Sequence, residues 1–456
     1  MKELLRKIFG QRIINYHHLF QAVLANFMYG FPSRRLHVIG VTGTDGKTTT
    51  VNLVASVLKE AGFKVSFLST INAQIGDKKF ETGLHTTTPS PFLLQELLRK
   101  MVSEGSEYAV LEVTSHALDQ YRTWGIRFET AAITNVTHEH LDYHKTYEEY
   151  LTAKAKLFRE AKNVILNRDD MSHRFLSPSP NPSRQGRGKE EGQGEGNPEP
   201  FLPLEGGGKV GVKTYGLNSD ADIWVYNIHE TLKETNFTAY TPQGESQIRL
   251  NLPGRFNVAN ALASICVGLS YNISLDKIAA GLAKVHGITG RMEFFEEGQN
   301  FYAMVDFAHT PNALEKLLTF LRSKKTGQLI VVFGAAGERD ASKRELMGEA
   351  ADKYADIIVI TREDNRSEDV MDISRQIAKG IKRKKEGKEY YIIPDRRDAL
   401  RFALRKAQKG DLVVITGKGH EMSLNIDGVE TDWNDREVMR GELTRLLGES
   451  SRTSEA

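Results

Sequence analysis

Residues 38–50 read VIGVTGTDGKTTT, an apolar strand, a glycine turn and the start of a helix. Gly43 and Gly46 allow a turn so tight that consecutive backbone N–H groups can point at phosphate oxygens. Lys47 adds a mobile positive charge for the β/γ-phosphates, and Thr48 offers a hydroxyl to Mg2+. Beyond the turn, Val51, Leu53, Val54, Val57 and Leu58 recur at helical spacing and predict a helix over residues 47–62. The strict phosphate-loop pattern asks for glycine five positions before Gly46. This chain has Val41 there, so the motif is the variant G-T-D-G-K-T-T.

Around this loop, apolar runs alternate with helical stretches: LHVIGVT, KVSFLST, YAVLEVT, TAAITNV and NVILN, between residues 36 and 167. That alternation predicts a mostly parallel sheet with helices on both faces. The composition then breaks. Residues 172–208 are Pro, Gly, Ser and charge with little to bury, and read as a disordered insertion. A β-rich segment follows to Leu250, then a loop feeding a buried helix. A second alternating pattern begins near Gly290, with FYAMVDFA, LIVVFGA, DIIVITR, YYIIP and LVVITGK as its strands. It is Rossmann-like in rhythm, but no G-x-G-x-x-G opens it, so no dinucleotide is assigned. The fold class is therefore α/β: a central phosphate-loop sheet plus a C-terminal Rossmann-like unit. The expected divisions are a helical segment over 1–35, an ATP-binding domain over 36–288 and a C-terminal domain over 289–456.

At 456 residues the chain is too long for one compact core. A net charge of +2 gives no electrostatic footprint for nucleic acid. The single cysteine, Cys266, lies in an apolar helical context and reads as a core residue. No disulfide can form within the chain, which suits a reducing cytoplasm. No apolar run reaches the ~20 residues of a membrane span. The first 31 residues are basic, then aromatic and apolar, without a small-residue cleavage site. They predict either a helix docked on the body or a helix lying on a membrane surface.

Glu112 falls near the C-terminal end of a strand, where ligands collect in open α/β sheets. Another strand end delivers His138, His140, Asp142 and His144. Such a cluster could hold zinc. Beside Thr48, one carboxylate and one histidine suit magnesium and phosphates better, and a structural hydrogen-bond network is the plain alternative. His138 and His144 individually read as structural or surface residues. On spacing alone, Lys154 and Lys156 in YEEYLTAKAKLFREA belong to a solvated helix face.

Eight segments then occur in a telling order: GTDGKTT (43–49), EVTSH (112–116), TNVTHEHLDYH (134–144), YLTAKAKLF (150–158), LPGRFNVANALAS (252–264), GRME (290–293), VDFAHTPNAL (305–314) and GKGHE (417–421). Together they closely resemble the Mur ligases of peptidoglycan synthesis, in the branch that adds the third stem-peptide residue to UDP-N-acetylmuramoyl-L-alanyl-D-glutamate. The resemblance spans residues 36–447. It implies a cytoplasmic, ATP-dependent amide ligase of cell-wall synthesis, working through an acyl phosphate and a tetrahedral intermediate. Its substrates are small molecules, and nucleic acid is not among them.

The resemblance carries roles residue by residue. Gly43, Thr44, Asp45, Gly46, Lys47, Thr48 and Thr49 would hold the phosphates. Asn257 and Asn260 would lie on the adenine side, Arg291 at the phosphates and Asp306 at the ribose. Thr48 and Glu112 would ligate one Mg2+, and His140 a second. Lys154 matches a lysine carbamylated in this family, which converts an ammonium into an anionic metal ligand and reverses the bland reading. Lys47, Glu112, His140 and Lys154 are thus the catalytic set. Thr87, Thr88, Ser115, Gln120 and Arg122 would hold the muramoyl dipeptide, and Arg344, Asp364, Arg366, Gly417 and Glu421 the incoming amino acid. The family's D-N-P-R signature aligns with Glu363-Asp364-Asn365-Arg366. An arginine there can pair bidentately with the second carboxylate of meso-diaminopimelate, which lysine lacks.

One departure stands out. The family carries a separate UDP-binding domain at the front, and here only about 36 residues precede the first strand, too few for a core of their own. That surface is expected to be absent, reduced to a helix or supplied by another chain. Two competing readings follow: a ligase of the same superfamily with another acceptor (a lipid-linked muramoyl peptide, or one of folylpolyglutamate or cyanophycin type), and a non-catalytic nucleotide-binding cell-wall protein.

Overall fold

A computed structural model describes residues 2–76, 78–81, 88–137, 141–177 and 211–454. The chain opens with helix α1 (Lys2–Tyr29) and a short 3-10 turn at Pro32–Arg35. Then comes the central sheet: β1 (His37–Thr42), α2 (Lys47–Glu60), β2 (Val65–Leu68), β3 (Asn72–Ile75), β4 (Lys78–Glu81), α3 (Pro91–Ser103), β5 (Tyr108–Glu112), α4 (Ser115–Asp119) and β6 (Phe128–Ile133). It continues through α5 (Leu141–His144), α6 (Tyr147–Ala155), β7 (Asn163–Asn167), α7 (Ser172–Leu176) and β8 (Gly211–Tyr215). The strand order is β4-β3-β2-β5-β1-β6-β7-β8. All neighbours from β2 to β8 pair in parallel, and β3 and β4 form an antiparallel edge.

The apolar runs become strands because both faces of a parallel sheet are covered. Alternate residues go to opposite layers. Ile39, Val41 and Val110 join a core with Val54, Leu58 and Leu262. Val38, Ala109 and Leu111 join another with Leu94, Leu98, Phe128 and Leu157. The first layer continues into a three-stranded antiparallel sheet, β9 (Trp224–Glu230), β10 (Thr235–Thr241) and β11 (Gly244–Leu250), which contributes Val225, Phe237, Ile248 and Leu250. Helices α8 (Arg255–Ser270) and α9 (Leu275–Ala283) close that layer over α2.

The C-terminal sheet contains β12 (Glu293–Phe295), β13 (Tyr302–Val305), β14 (Leu329–Phe333), β15 (Ile357–Ile360), β16 (Tyr390–Ile392) and β17 (Leu412–Ile415), in the order β12-β13-β17-β14-β15-β16. Only β12 runs antiparallel. Helices α10 (Pro311–Lys324), α11 (Ser342–Tyr354) and α12 (Val370–Ala378) cover one face, and α13 (Arg396–Lys406) and α14 (Asp435–Ser454) the other. A hairpin, β18 (Ser423–Ile426) with β19 (Val429–Asp432), stands apart.

Two sequence expectations change. The helix from Tyr147 ends at Ala155 and tightens into a 3-10 turn over Lys156–Phe158. The break in composition begins later than expected: Ser172–Leu176 is helical, with Ser172, His173 and Leu176 buried, because Leu176 packs under β7 in the second layer. The rest of the insertion, Ser177 apart, lies outside the described residues.

A buried ion pair braces the C-terminal sheet. Arg396 and Asp435 are both fully buried and bond bidentately, Nε to Oδ1 at 2.8 Å and Nη2 to Oδ2 at 2.6 Å. The guanidinium also donates to the carbonyls of Thr416 (2.8 Å) and Arg362 (3.1 Å), tying the ends of β15 and β17 to α13 and α14. Removing one partner strands the other charge without water. Asp435→Ala is therefore expected to cost about 3–5 kcal/mol, read from urea denaturation; a loss below about 1 kcal/mol, the worth of a surface pair, would contradict this.

Candidate functional site

The C-terminal ends of the strands in both sheets border one cleft of about 1830 Å3. Its walls include Thr44–Thr49, Glu112, Asn257 and Asn260 from the central half, and Arg291, Asp306, Asp364, Arg366, Gly417 and Glu421 from the C-terminal half. Ligands in open α/β sheets collect at this edge. Asn312 Nδ2 of α10 donates to Asp45 Oδ2 across the cleft at 2.9 Å.

The loop between β1 and α2 has its shape imposed from behind. Gly43 (φ +150°) and Gly46 (φ +82°) occupy backbone regions that side chains avoid. A Cβ on Gly43 would lie 1.8 Å from Thr134 Oγ1, and one on Gly46 2.3 Å from Asn260 Oδ1. Thr134 Oγ1 and Asn135 Nδ2 both donate to the Asp45 carbonyl, at 2.6 and 3.1 Å. Gly46 caps α2 with no side-chain acceptor. The first N–H groups of α2 are thus left to an anion, at the positive end of the helix dipole. Lys47 Nζ reaches back to the Thr44 carbonyl at 2.7 Å, already leaning over the loop.

Glu112, at the end of β5, meets this loop. Its Oε2 accepts from Thr48 Oγ1 at 2.8 Å and from the Thr70 N–H at 2.9 Å, and its Oε1 from Thr70 Oγ1 at 2.8 Å. A hydroxyl and a carboxylate side by side on a cleft wall are hard oxygen donors, and they suit a Mg2+ whose remaining ligands are phosphate and water. Among the described residues, no group of three or more His, Cys, Asp or Glu forms a metal cage. Thr70 gave no sequence signal; it reaches Glu112 only because β2 lies beside β5.

Lys154 is 1% exposed, which overturns the solvated-face reading from spacing. It does not line the cleft. It approaches the loop from behind, with Nζ donating to the Gly43 carbonyl at 2.8 Å and lying 4.4 Å from the Tyr150 ring. The Tyr150 hydroxyl bonds Thr44 Oγ1 at 3.0 Å. His140 and Thr87 lie outside the described residues.

Of the two residues expected on the adenine side, Asn260 Nδ2 donates to Asn257 Oδ1 (3.1 Å), and Thr50 Oγ1 donates to Asn260 Oδ1 (3.3 Å). From the C-terminal half, Arg291 stacks on Phe307 at 4.1 Å. Asp306 accepts from the N–H groups of Met292 (2.8 Å) and Ala308 (2.7 Å). Burial pushes the Asp306 carboxyl up, with Arg291 pulling against it, and burial also lowers Arg291. His420 is pushed down to about 2 by burial and then by Arg291, so it stays a neutral ring against Phe307.

The residues expected to hold the incoming amino acid divide. Asp364 Oδ1 accepts from Lys418 Nζ (2.8 Å) and the Asn425 N–H (2.9 Å). Glu421 pairs with the same lysine, so its present partner is an ammonium group. Arg366, in a left-handed conformation (φ +51°), donates Nη1 to the Gly337 carbonyl at 2.7 Å. Glu363 is buried beside Gly417, and burial raises its carboxyl. Arg344 is not brought to the cleft. It is 1% exposed, paired with Glu368 at 2.8 Å and bonded to Gln376 and the Ala336 carbonyl, where it braces α11 against α12. Arg339 and Asp340, two residues of the same GERDASKR stretch, line the cleft in its place.

The residues expected to hold the dipeptide form a separate knot around α4, buried at Thr88, Ser115 and Gln120 and half-buried at Arg122. Arg122 Nε donates to Gln120 Oε1 (2.8 Å) and Nη1 to the Thr88 carbonyl (3.1 Å). Ser115 Oγ meets His144 Nε2 at 2.9 Å, and Gln120 donates to Tyr143 at 3.3 Å. None of them is on the wall of the main cleft.

Known proteins resemble this chain along most of its length. A family model described as the Mur ligase middle domain matches residues 41–184 and 204–268, and one described as the Mur ligase, glutamate ligase domain matches 290–419. The chain is 37% identical over 428 residues to the UDP-N-acetylmuramoyl-L-alanyl-D-glutamate--2,6-diaminopimelate ligase of Geobacillus kaustophilus, covering 92% of this chain and 81% of the relative. A solved structure of a ligase of that same name superposes with a TM-score of 0.59 at 31% identity, over 90% of this chain and 79% of the other. The folylpolyglutamate synthase of Mycobacterium tuberculosis shares the fold, with a TM-score of 0.69 at 17% identity over 88% and 93% of the two chains.

The loop geometry makes one expectation sharp. Gly46→Ala should weaken a non-hydrolysable ATP analogue with Mg2+ by about tenfold or more, measured by calorimetry, because the new methyl displaces Asn260. An affinity within twofold of the original would contradict it.

Proposed function

The chain belongs to the Mur ligase family, and from that membership we propose the reaction it performs and the residues that perform it. It is an ATP-dependent ligase that joins meso-diaminopimelate, as the third stem-peptide residue, to UDP-N-acetylmuramoyl-L-alanyl-D-glutamate in peptidoglycan synthesis. The observation that carries the assignment to this site is one cleft lined at one end by the phosphate loop with Glu112 and at the other by Asp364, Arg366 and Glu421.

The γ-phosphoryl group of ATP passes to the glutamate carboxylate, giving an acyl phosphate and ADP. The amine of the incoming residue then attacks that carbonyl. The tetrahedral intermediate expels inorganic phosphate, and the amine loses a proton. Both steps gather negative charge on oxygen, so cations and N–H donors set in advance lower the barrier. The N–H groups of the loop and of the start of α2 hold the phosphates, and Lys47 follows the transferred group. Thr48 and Glu112 would hold Mg2+, which would neutralise charge on the phosphate oxygens. Arg291 and Asp306 bring the C-terminal half to the nucleotide. With Asn312 on Asp45, they close the cleft against water that would hydrolyse the acyl phosphate.

Lys154 carries a carbamate in the working enzyme. Membership of the family supports this: Lys154 Nζ stands at the loop, on the Gly43 carbonyl, and carbamylation would turn that cation into an anion able to hold a second cation with His140. Arg366 takes the side-chain carboxylate of the diamino acid, and Glu421 exchanges its lysine partner for the substrate ammonium. The knot of Thr88, Ser115, Gln120 and Arg122 positions the dipeptide, with Thr87.

The test is turnover of purified protein with ATP, Mg2+, UDP-muramoyl dipeptide and diaminopimelate. Stoichiometric ADP, phosphate and tripeptide are expected, and no turnover with any amino acid would contradict the proposal. Lys47→Ala should abolish it. Lys154→Ala should abolish it too, with partial return on adding acetate; a fully active variant would remove the carbamate. Arg366→Ala should raise KM for diaminopimelate by tenfold or more (about 1.4 kcal/mol) with KM for ATP little changed. Equal effects on both would refute its role.

A further inference from the structure

The N-terminal helix turns an apolar face to solvent. It docks through Ala22, Ala25 and Asn26, which are fully buried. Asn26 Nδ2 donates to the Trp124 carbonyl at 2.8 Å, and Asn15 Nδ2 to Asp119 Oδ2 at 3.1 Å. Ordinary amphipathic packing would leave the opposite face polar. Instead, Ile13, Tyr16, Phe20, Leu24, Phe27 and Met28 form a stripe at spacings of three and four residues, 42% to 69% exposed. Between Ile13 and Tyr29, His17 is the only exposed polar residue. A continuous apolar stripe of this kind marks an interaction surface.

Charge selects the partner. Residues 1–36 hold Lys2, Arg6, Lys7, Arg12, Arg34 and Arg35 against a single acid, Glu3, although the whole chain is only +2. Arg34 and Arg35 are exposed just beyond the helix, and Arg99 of α3 donates to the Tyr29 carbonyl. The helix therefore has basic residues at its start and just past its end. A second copy would set basic residues against basic residues in either a parallel or an antiparallel pairing, which like-charge repulsion disfavours. An anionic bilayer satisfies both features: basic side chains meet phosphate headgroups, while Phe, Tyr, Leu and Met enter the headgroup–acyl boundary. No helix among the described residues is long and apolar enough to cross a membrane, so such a contact stays on the surface.

We propose that α1 is a membrane-surface anchor, which lays the Ile13–Met28 stripe along the interface of a bilayer rich in anionic phospholipid. This does not depend on what the cleft binds.

The test is co-sedimentation of the full chain with vesicles of phosphatidylcholine, alone or mixed with phosphatidylglycerol. Binding to the mixed vesicles should be about tenfold tighter or more, and weaker at raised salt. Phe20→Glu with Phe27→Glu should abolish it and leave ADP release and the unfolding midpoint unchanged, since both side chains are two-thirds exposed. Tyr16→Trp should add an emission that shifts to the blue on mixed vesicles. The proposal is overturned by absence of binding to the mixed vesicles, by equal binding of the double variant, by an unshifted Tyr16→Trp emission, or by a dimer that Phe20→Glu dissolves without any vesicle binding. The last result would assign the stripe to a second copy.

Discussion

The phosphate loop has no room for a side chain at either of its turning points. Thr134 fills the space behind Gly43 and Asn260 the space behind Gly46, so the loop is pressed between the end of β6 and the start of α8. This contact fixes where the N–H groups of α2 point. It also fixes what stands around them, because each neighbour arrives on an element the sheet already positions. Glu112 comes from β5, hydrogen-bonded beside β1. Lys154 comes from α6, behind the loop, with its amine on the Gly43 carbonyl. A shift of the loop by one side chain would break its contacts with all of them.

The second constraint is that the cleft belongs to two sheets. Each has its own pair of cores on opposite faces, and each offers the C-terminal edge of its parallel strands. Neither edge alone encloses the cleft, whose walls come from both. The Asp45–Asn312 hydrogen bond joins them across the cleft. The buried Arg396–Asp435 pair plays the matching part inside the C-terminal sheet, where it holds the strand ends that carry Glu363, Asp364 and Gly417.

Much of this was legible in the chain. The apolar runs named every parallel strand except β8, because strands buried on both faces are written as unbroken apolar stretches. The loop and Glu112 were legible because a strand end is a place in the sequence. What was not legible depends on neighbours far along the chain. Thr70 has no motif and meets Glu112 only through strand order. Lys154 has the spacing of a surface residue, yet α6 is pressed behind the loop and buries it. Arg344 and Arg339 are five residues apart in a polar stretch; only the start of α11 decides which is buried against Glu368 and which borders the cleft. Helix α7 was hidden in a polar composition, where one buried leucine sufficed. The apolar outer face of α1 was half legible: the sequence left docking and surface lying both open, and the fold shows a helix that is docked and still apolar outward.

The central claim is that this loop is where a triphosphate is activated. The direct measurement is a crystal structure of the chain with a non-hydrolysable ATP analogue and Mg2+. The account predicts phosphates against the Thr44–Thr49 backbone, a cation between Thr48 and Glu112, and the nucleotide bridging to Arg291 and Asp306. A nucleotide bound elsewhere, or phosphates beyond the reach of Thr48 and Glu112, would contradict it.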